Sequence, residues 1–168
     1  MKIYSKGREA TVTFITSQGV VFTVGHFYRG EPVLIENRIP VKTFSIAKIM
    51  DYYIGVAPIR MGATIAIEPL DYDMQIMIKG DTVKYGRLIK PLNAFFWLTN
   101  IPVTKGESGA PVLDMEGKII GYVTHASPNG SIIRPFNDML VKTIQSVSEK
   151  AKLINPPLEE ENENEQQQ

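Results

Sequence analysis

Residues 95–124, FFWLTNIPVTKGESGAPVLDMEGKIIGYVT, decide the fold. The aromatic run Ala94–Thr99 and the apolar runs Ala110–Leu113 and Lys118–Thr124 are each short, and the last two are joined by Glu116–Gly117. Short β-branched or aromatic runs separated by turn residues predict antiparallel strands. Between the first two runs stands a serine flanked by glycines, Lys105-Gly106-Glu107-Ser108-Gly109, a string that lets the backbone turn tightly.

The same texture extends in both directions. Upstream, Ala10–Ser17, Val20–Val24, Val33–Ile35, Lys42–Met50 and Tyr52–Ile59 are predicted strands, punctuated by Gln18–Gly19, Arg29–Gly30 and Asn37–Arg38. Met74–Ile78 and Thr82–Ile89 follow, and Ser131–Arg134 comes after the turn at Asn129–Gly130. The strands fall into two groups, split near residues 66–73, as regular short strands do in sandwiches and barrels. The expectation is an all-β domain over 1–155, with a first antiparallel β-barrel in 1–65 and a second in 74–134. One segment departs from the strand rhythm. Asn137 is a suitable N-cap, and Leu140, Ile144, Val147, Ala151 and Ile154 recur on one helical face, which predicts a C-terminal helix over 137–154. Pro156 bars its continuation.

Composition narrows the class. The chain has 168 residues, 43% of them hydrophobic and 21% charged, the balance of a globular domain with its own core. No run approaches the ~20 continuous apolar residues of a membrane span. The first twenty residues hold no separate apolar block and no small-residue cleavage site, so no signal peptide is expected. Cysteine is absent, which excludes disulfides, thiolate metal sites and a cysteine nucleophile, and leans toward an intracellular protein. The 18 basic and 18 acidic residues cancel, but Glu159, Glu160, Glu161, Glu163 and Glu165 crowd the last stretch, leaving residues 1–158 at a net +5. Residues 156–168, acidic and glutamine-rich, are expected to be disordered. The remaining basic residues are scattered and no nucleic-acid motif accompanies them, which argues against a nucleic-acid partner.

Chemistry concentrates in three places. Ser108, on a turn between glycines, is a candidate nucleophile, and the Gly106 and Ser108 amides are candidate donors to an oxyanion. Serine needs a general base, and the chain holds only two histidines, His26 and His125. His26 ends the apolar strand Val20–Val24. A third group must orient the imidazole. Asp51, wedged between apolar runs where a carboxylate is costly unless paired, is the best-placed carboxylate, with Asp71 and Asp73 as rivals. A metal site is not indicated, since two histidines need a third ligand that the spacing does not suggest.

With these residues in order, the sequence resembles the chymotrypsin-like serine proteases over most of 8–150. ATVTFITSQGVVFTVGH resembles the family's opening hairpin with its histidine. GESGAPV stands for the Gly-Asp-Ser-Gly-Gly-Pro motif, and GKIIGYVTH for the strand that follows it. The stretch around Ser108, with GSIIRPFNDMLVKTI, is especially similar to Deg-type heat-shock proteases and compact viral relatives. The resemblance implies two six-stranded barrels with the site between them. Ser108 would be the nucleophile, His26 the base and then acid, and Asp51 the orienting carboxylate, with Gly106 and Ser108 supplying the oxyanion amides. It implies no metal and no cofactor, and a polypeptide as substrate. Tyr52–Tyr53 replace the family's usual pair after the aspartate. The separations of 25 residues from His26 to Asp51 and 57 from Asp51 to Ser108 are short for the family. They point to trimmed loops, as in viral polyprotein proteases of the astrovirus type, which makes polyprotein processing in the host cytoplasm the leading expectation. A cellular Deg-like protease, or an inactive fold used for binding, is the alternative.

The resemblance also locates an S1 region. Six residues before Ser108 stands Pro102 rather than an acid, so no basic P1 residue would be recognised. Lys105, Thr124, His125 and Arg134 surround the same region and would favour an acidic or polar P1 residue.

Overall fold

The computed structural model describes residues 1–154. Its first sheet is built from β1 (Lys2–Ser5), β2 (Arg8–Thr11), β3 (Phe14–Ile15), β4 (Val20–Val24), β5 (Val33–Ile35), β6 (Ile39–Ala47) and β7 (Tyr52–Val56). They lie in the order β2-β1-β5-β6-β7-β4-β3, every neighbouring pair antiparallel. The two outer strands are consecutive pieces of one stretch. Val12 N–H still donates toward the β1 side, to Met1 O at 2.9 Å, whereas Thr13 N–H donates to Phe22 O on β4 at 2.8 Å. The strand predicted over Ala10–Ser17 therefore changes partner midway, and the sheet curls until both edges meet in that bend. Counted as one bent strand, Arg8–Ile15 makes the first sheet six-stranded. β1 was not foreseen from sequence. Its four residues alternate, with Ile3 and Ser5 buried and Lys2 and Tyr4 half-buried.

The second sheet closes fully. β8 (Gln75–Lys79), β9 (Val83–Pro91), β10 (Trp97–Thr99), β11 (Pro111–Leu113), β12 (Ile119–Ser127) and β13 (Gly130–Pro135) form an antiparallel barrel in the order β10-β13-β12-β11-β8-β9. Closure removes the unpaired edges that an open sheet leaves. Its interior is lined by Ile76, Ile78, Leu88, Ile101, Val112, Ile120, Val123 and Ile133. One irregularity bears on function. Pairing between β12 and β13 shifts between Val123 and His125, so Thr124 sits in a bulge, and bulges re-aim backbone groups away from the ladder.

Helix α1 (Asp138–Ile154) begins where Asn137 Oδ1 accepts the Leu140 N–H at 2.9 Å, the N-cap the sequence calls for. Leu140, Ile144, Val147 and Ala151 are buried in the core of the first sheet, so a helix that follows the second barrel fastens it to the first. Each large apolar side chain buried this way contributes on the order of 1.5–3 kcal/mol. Tyr122 of β12 and Phe136 join the same core. Phe22 meets Tyr122 edge-on at 5.0 Å and Phe136 at 5.5 Å. No described helix is long and apolar enough to cross a membrane. Pro156 and the acidic stretch 156–168 that was expected to be disordered lie outside the described residues.

Candidate active site

The end of β4 runs into a 3₁₀ turn, Gly25–Phe27, which carries His26. A Cβ on Gly25 would lie 2.8–3.1 Å from backbone atoms of Tyr52, so only glycine lets this turn rest on the start of β7. That approach brings His26 against Asp51. The His26 N–H donates to Asp51 Oδ1 at 2.8 Å, and His26 Nδ1 stands 3.1 Å from Oδ2 and 3.3 Å from Oδ1. A carboxylate only accepts, so the proton of a neutral imidazole resides on Nδ1 and Nε2 is left as the basic nitrogen. Asp51 is 7% exposed and adopts φ +55°, a left-handed conformation that costs a non-glycine residue roughly 1–2 kcal/mol, less for Asp.

The turn bearing Asp51 is held from the other barrel. Tyr122 Oη donates to Asp51 O at 3.1 Å, and the Arg134 guanidinium donates to Met50 O. Burial pushes the Tyr122 phenol well above its ordinary pKa, so it remains a donor throughout the neutral range. Arg134 is 1% exposed, and its Nε and Nη2 have no hydrogen-bond partner among the described residues. The Phe95 ring lies 5.9 Å from its charge centre, within reach of a cation–π attraction.

Ser108 follows a second 3₁₀ turn, Lys105–Glu107, which contains Gly106. Both sheets grip this segment. From the first, Thr11 N–H donates to Ser108 O at 2.8 Å, Thr11 Oγ1 to Gly106 O at 2.9 Å and Thr13 Oγ1 to Gly109 O at 2.5 Å. From the second, Gly109 N–H donates to Val123 O at 2.7 Å. Gly109 has φ +95°, and a side chain there would strike Thr11 O and Thr23 Oγ1. The Ser108 hydroxyl points to Thr124 O at 3.4 Å, a carbonyl that the β12 bulge turns toward it. The next residue, His125, is exposed and stacks on His26, ring centres 5.3 Å apart and planes 19° from parallel. Of the three residues read from sequence as nucleophile, base and orienting acid, His26 and Asp51 are in direct contact, and Ser108 is joined to them through Thr124 and His125 of β12.

Glu107 anchors the serine turn. It is 1% exposed and accepts from Thr104 N–H at 2.8 Å and Asp81 N–H at 2.9 Å, with Lys84 Nζ at 3.2 Å. Burial alone would push its pKa up, but the two amides and the Lys84 ammonium more than offset this and hold it below the ordinary glutamate value. A side chain at Gly80 would run into this carboxylate. Glu107, Lys84 and Tyr122 were not singled out from sequence. Only Glu107 carried a signal, an acid set between Gly106 and Gly109 directly before the serine.

The other sequence candidates separate. Asp71 and Asp73 are exposed in the stretch between the sheets, and neither contacts a histidine among the described residues. Asp71 caps its own turn by accepting the Tyr72 N–H at 2.8 Å. Of the S1 candidates, Thr124 lies against Ser108 and His125 against His26, while the Thr124 hydroxyl donates to Ile132 O at 3.0 Å. Pro102 is exposed and its carbonyl accepts from Lys84 Nζ at 2.9 Å. Lys105 is exposed on the serine turn. Arg134 does not stand at a rim but behind the Asp51 turn. For metals, His26, Asp51 and His125 offer ligand atoms within 4.8 Å of one another, a proximity that sequence spacing did not suggest. The near-parallel rings aim their nitrogen lone pairs along near-parallel planes, which suits stacking better than convergence on one ion.

No protein-family model matches the sequence, and no curated protein does either. Solved structures do match. The active form of the Rv3671c protease from M. tuberculosis is 18% identical with a TM-score of 0.72, over 86% of this chain and 78% of that one. The chain has the chymotrypsin-like fold. Two further chymotrypsin-like structures that match are an HtrA-type protease, AlgW, with a tripeptide (16% identity, TM-score 0.72, 89% of this chain) and the serine endoprotease from Yersinia pestis (16%, 0.70, 89%). This chain spans 60% and 61% of the length of those two. Ser108 and the His26–Asp51 pair are related through β12, where the Thr124 carbonyl lies against the Ser108 hydroxyl and the next residue, His125, stacks on His26.

Proposed function

We propose that this chain is a serine endopeptidase. Ser108 Oγ attacks the carbonyl carbon of a peptide bond while His26 Nε2 takes its proton, and the Asp51 carboxylate stabilises the resulting imidazolium through Nδ1. The oxygen that gains negative charge is received by the Gly106 and Ser108 amides. The C–N bond then breaks, His26 returns the proton to the leaving amine, and an ester on Ser108 remains. Water, deprotonated by the same histidine, attacks that ester, and the carboxylic acid leaves as Ser108 regains its proton. The observation that carries this reading is the buried Asp51 carboxylate, bonded to both the backbone and the ring of His26.

For specificity, the absence of an acid at Pro102 speaks against a basic P1 residue. Arg134 is closed off, so a preference for acidic or polar P1 residues rests on His125 beside Ser108. The short separations between the three site residues favour a polyprotein-processing role, and the likeness to HtrA-type structures favours a Deg-like one. The reading of a silent binding module draws on one observation, the Ser108 hydroxyl directed to Thr124 O. Hydroxyls of this kind often swing to the base only when substrate is bound. Release of new amino termini from a denatured protein or peptide pool tests the proposal. Wild-type protein is expected to release them and Ser108→Ala to lose about six orders of magnitude of kcat. Equal, negligible release from both would refute it.

A further inference from the structure

Beside the serine turn, on the side of the first sheet, lies a surface bowl of about 520 Å³ whose lining includes Lys6, Arg8, Glu9, Arg29, Lys105 and Gly106. Four of these six are cations. Among the described residues none of the four has a carboxylate within ion-pair distance, and Glu9, the one acid present, is within 4.0 Å of Lys2 instead. The basic groups come from three segments distant in sequence: the β1–β2 turn, the loop after His26 and the 3₁₀ turn before Ser108. Four cations against the single carboxylate of Glu9 leave the bowl positive, and the potential like charges focus in a concave surface attracts anions.

The position of the bowl matters as much as its charge. Gly106, a lining residue, belongs to the turn that presents the proposed oxyanion amides. Arg8, another, donates from Nη1 to the backbone carbonyl of His26 at 3.3 Å. In the proposed reaction the leaving amine takes its proton from His26, so the peptide that follows the scissile bond has to depart past that residue. The bowl is what it meets there. This differs from the P1 side, where Thr124 and His125 stand on β12.

We infer that the bowl formed by Lys6, Arg8, Arg29 and Lys105 binds acidic side chains of the polypeptide substrate within the first few residues after the scissile bond. The inference rests on the endopeptidase reading for which end of the substrate is bound, and on charge and shape for what is bound. It gathers four of the chain's 18 basic residues at one functional place.

The test uses two fluorescent nine-residue peptide pools, amidated at the C-terminus and randomised identically at the first six positions. One ends in Asp-Glu-Asp and the other in Asn-Gln-Asn. Binding to full-length Ser108→Ala protein at low ionic strength, read by anisotropy, is expected to favour the acidic pool by about tenfold, the combined effect of three exposed and individually weak charge pairs. The preference is expected to fall to within about twofold in a Lys6→Gln/Arg29→Gln/Lys105→Gln variant on the same background, and in 0.5 M salt. Equal binding of the two pools, or a preference unchanged by the triple substitution, overturns the inference whatever the catalytic result. Cleavage by the wild-type protein gives the second reading. Cuts placed just before the acidic residues support the assignment of the leaving side, and cuts placed after them overturn it. Failure to cleave either pool, alongside preferential binding of the acidic one, would strike the endopeptidase reading and leave the acidic-peptide site standing.

Discussion

Asp51 accepts two hydrogen bonds from a single residue, the backbone N–H of His26 at 2.8 Å and its ring Nδ1 at 3.1 Å. The first fixes where the carboxylate lies relative to the 3₁₀ turn, and the second fixes the ring's tautomer. An imidazole held at one nitrogen by a buried acid is poised to take a proton at the other.

Asp51→Asn preserves shape and backbone bonding but lets an amide NH₂ face Nδ1, which inverts the tautomer. We expect kcat for a peptide substrate to fall by roughly 10⁴, with the thermal midpoint changed only slightly. A loss below tenfold in steady-state kinetics would mean that Asp51 does not orient the base.

Arg134→Met separates stability from activity. A buried guanidinium with two nitrogens unpartnered among the described residues is costly to keep, so an apolar side chain of similar volume is expected to leave stability unchanged or raise it by about 1–2 kcal/mol. The same change frees Met50 O and loosens the Asp51 turn, which should lower kcat about tenfold. Denaturant titration and kinetics on the same preparation decide it. A variant both less stable and equally active would contradict the clamp.

Glu107→Gln removes the charge that receives Lys84 and two amides, and should cost on the order of 2 kcal/mol at neutral pH. The folded protein holds this carboxyl below its ordinary pKa, so its contribution is full above the ordinary glutamate range and is lost as pH falls through the lower folded value. Thermal midpoints of wild type and variant, measured from pH 7 downward, should therefore converge in acid. A gap that widens as pH falls would show the sign to be wrong.

Gly25→Ala places a methyl group within 2.8–3.1 Å of the Tyr52 backbone. Main-chain atoms of β7 cannot step aside as a flexible side chain would, so we expect a loss of about 1–3 kcal/mol together with displacement of His26. Urea unfolding and the fraction of active protein are the two readouts, and wild-type values in both would contradict the close packing.

Much of this architecture is legible in the sequence because strand texture and turn residues are local signals. Val20–Val24 and Val33–Ile35 coincide with β4 and β5 to the residue, and Asn137 announces α1. The bend that splits Ala10–Ser17 is not legible, since Val12 and Thr13 change partner for reasons that lie on β1 and β4. Ser108 and His26 stand out by residue type and context. What escapes is any relation across the cleft. Arg134 reads as part of the S1 surround, yet it is buried behind the Asp51 turn, beside its register partner Tyr122. The two histidines, 99 positions apart in sequence, are stacked only because β12 crosses behind the 3₁₀ turn. Lys105 looks like a pocket rim until Lys6, Arg8 and Arg29 are seen around it.

If Ser108 is a nucleophile activated by His26, it reacts with electrophiles that trap activated serines. Labelling with a fluorophosphonate, followed by mass spectrometry of the digested protein, tests this without knowledge of the substrate. We expect one phosphonyl adduct, on Ser108, in the wild-type protein, and its loss in His26→Ala protein that remains folded. An unlabelled Ser108 in folded wild-type protein, or labelling at an undiminished rate in His26→Ala, would contradict that activation.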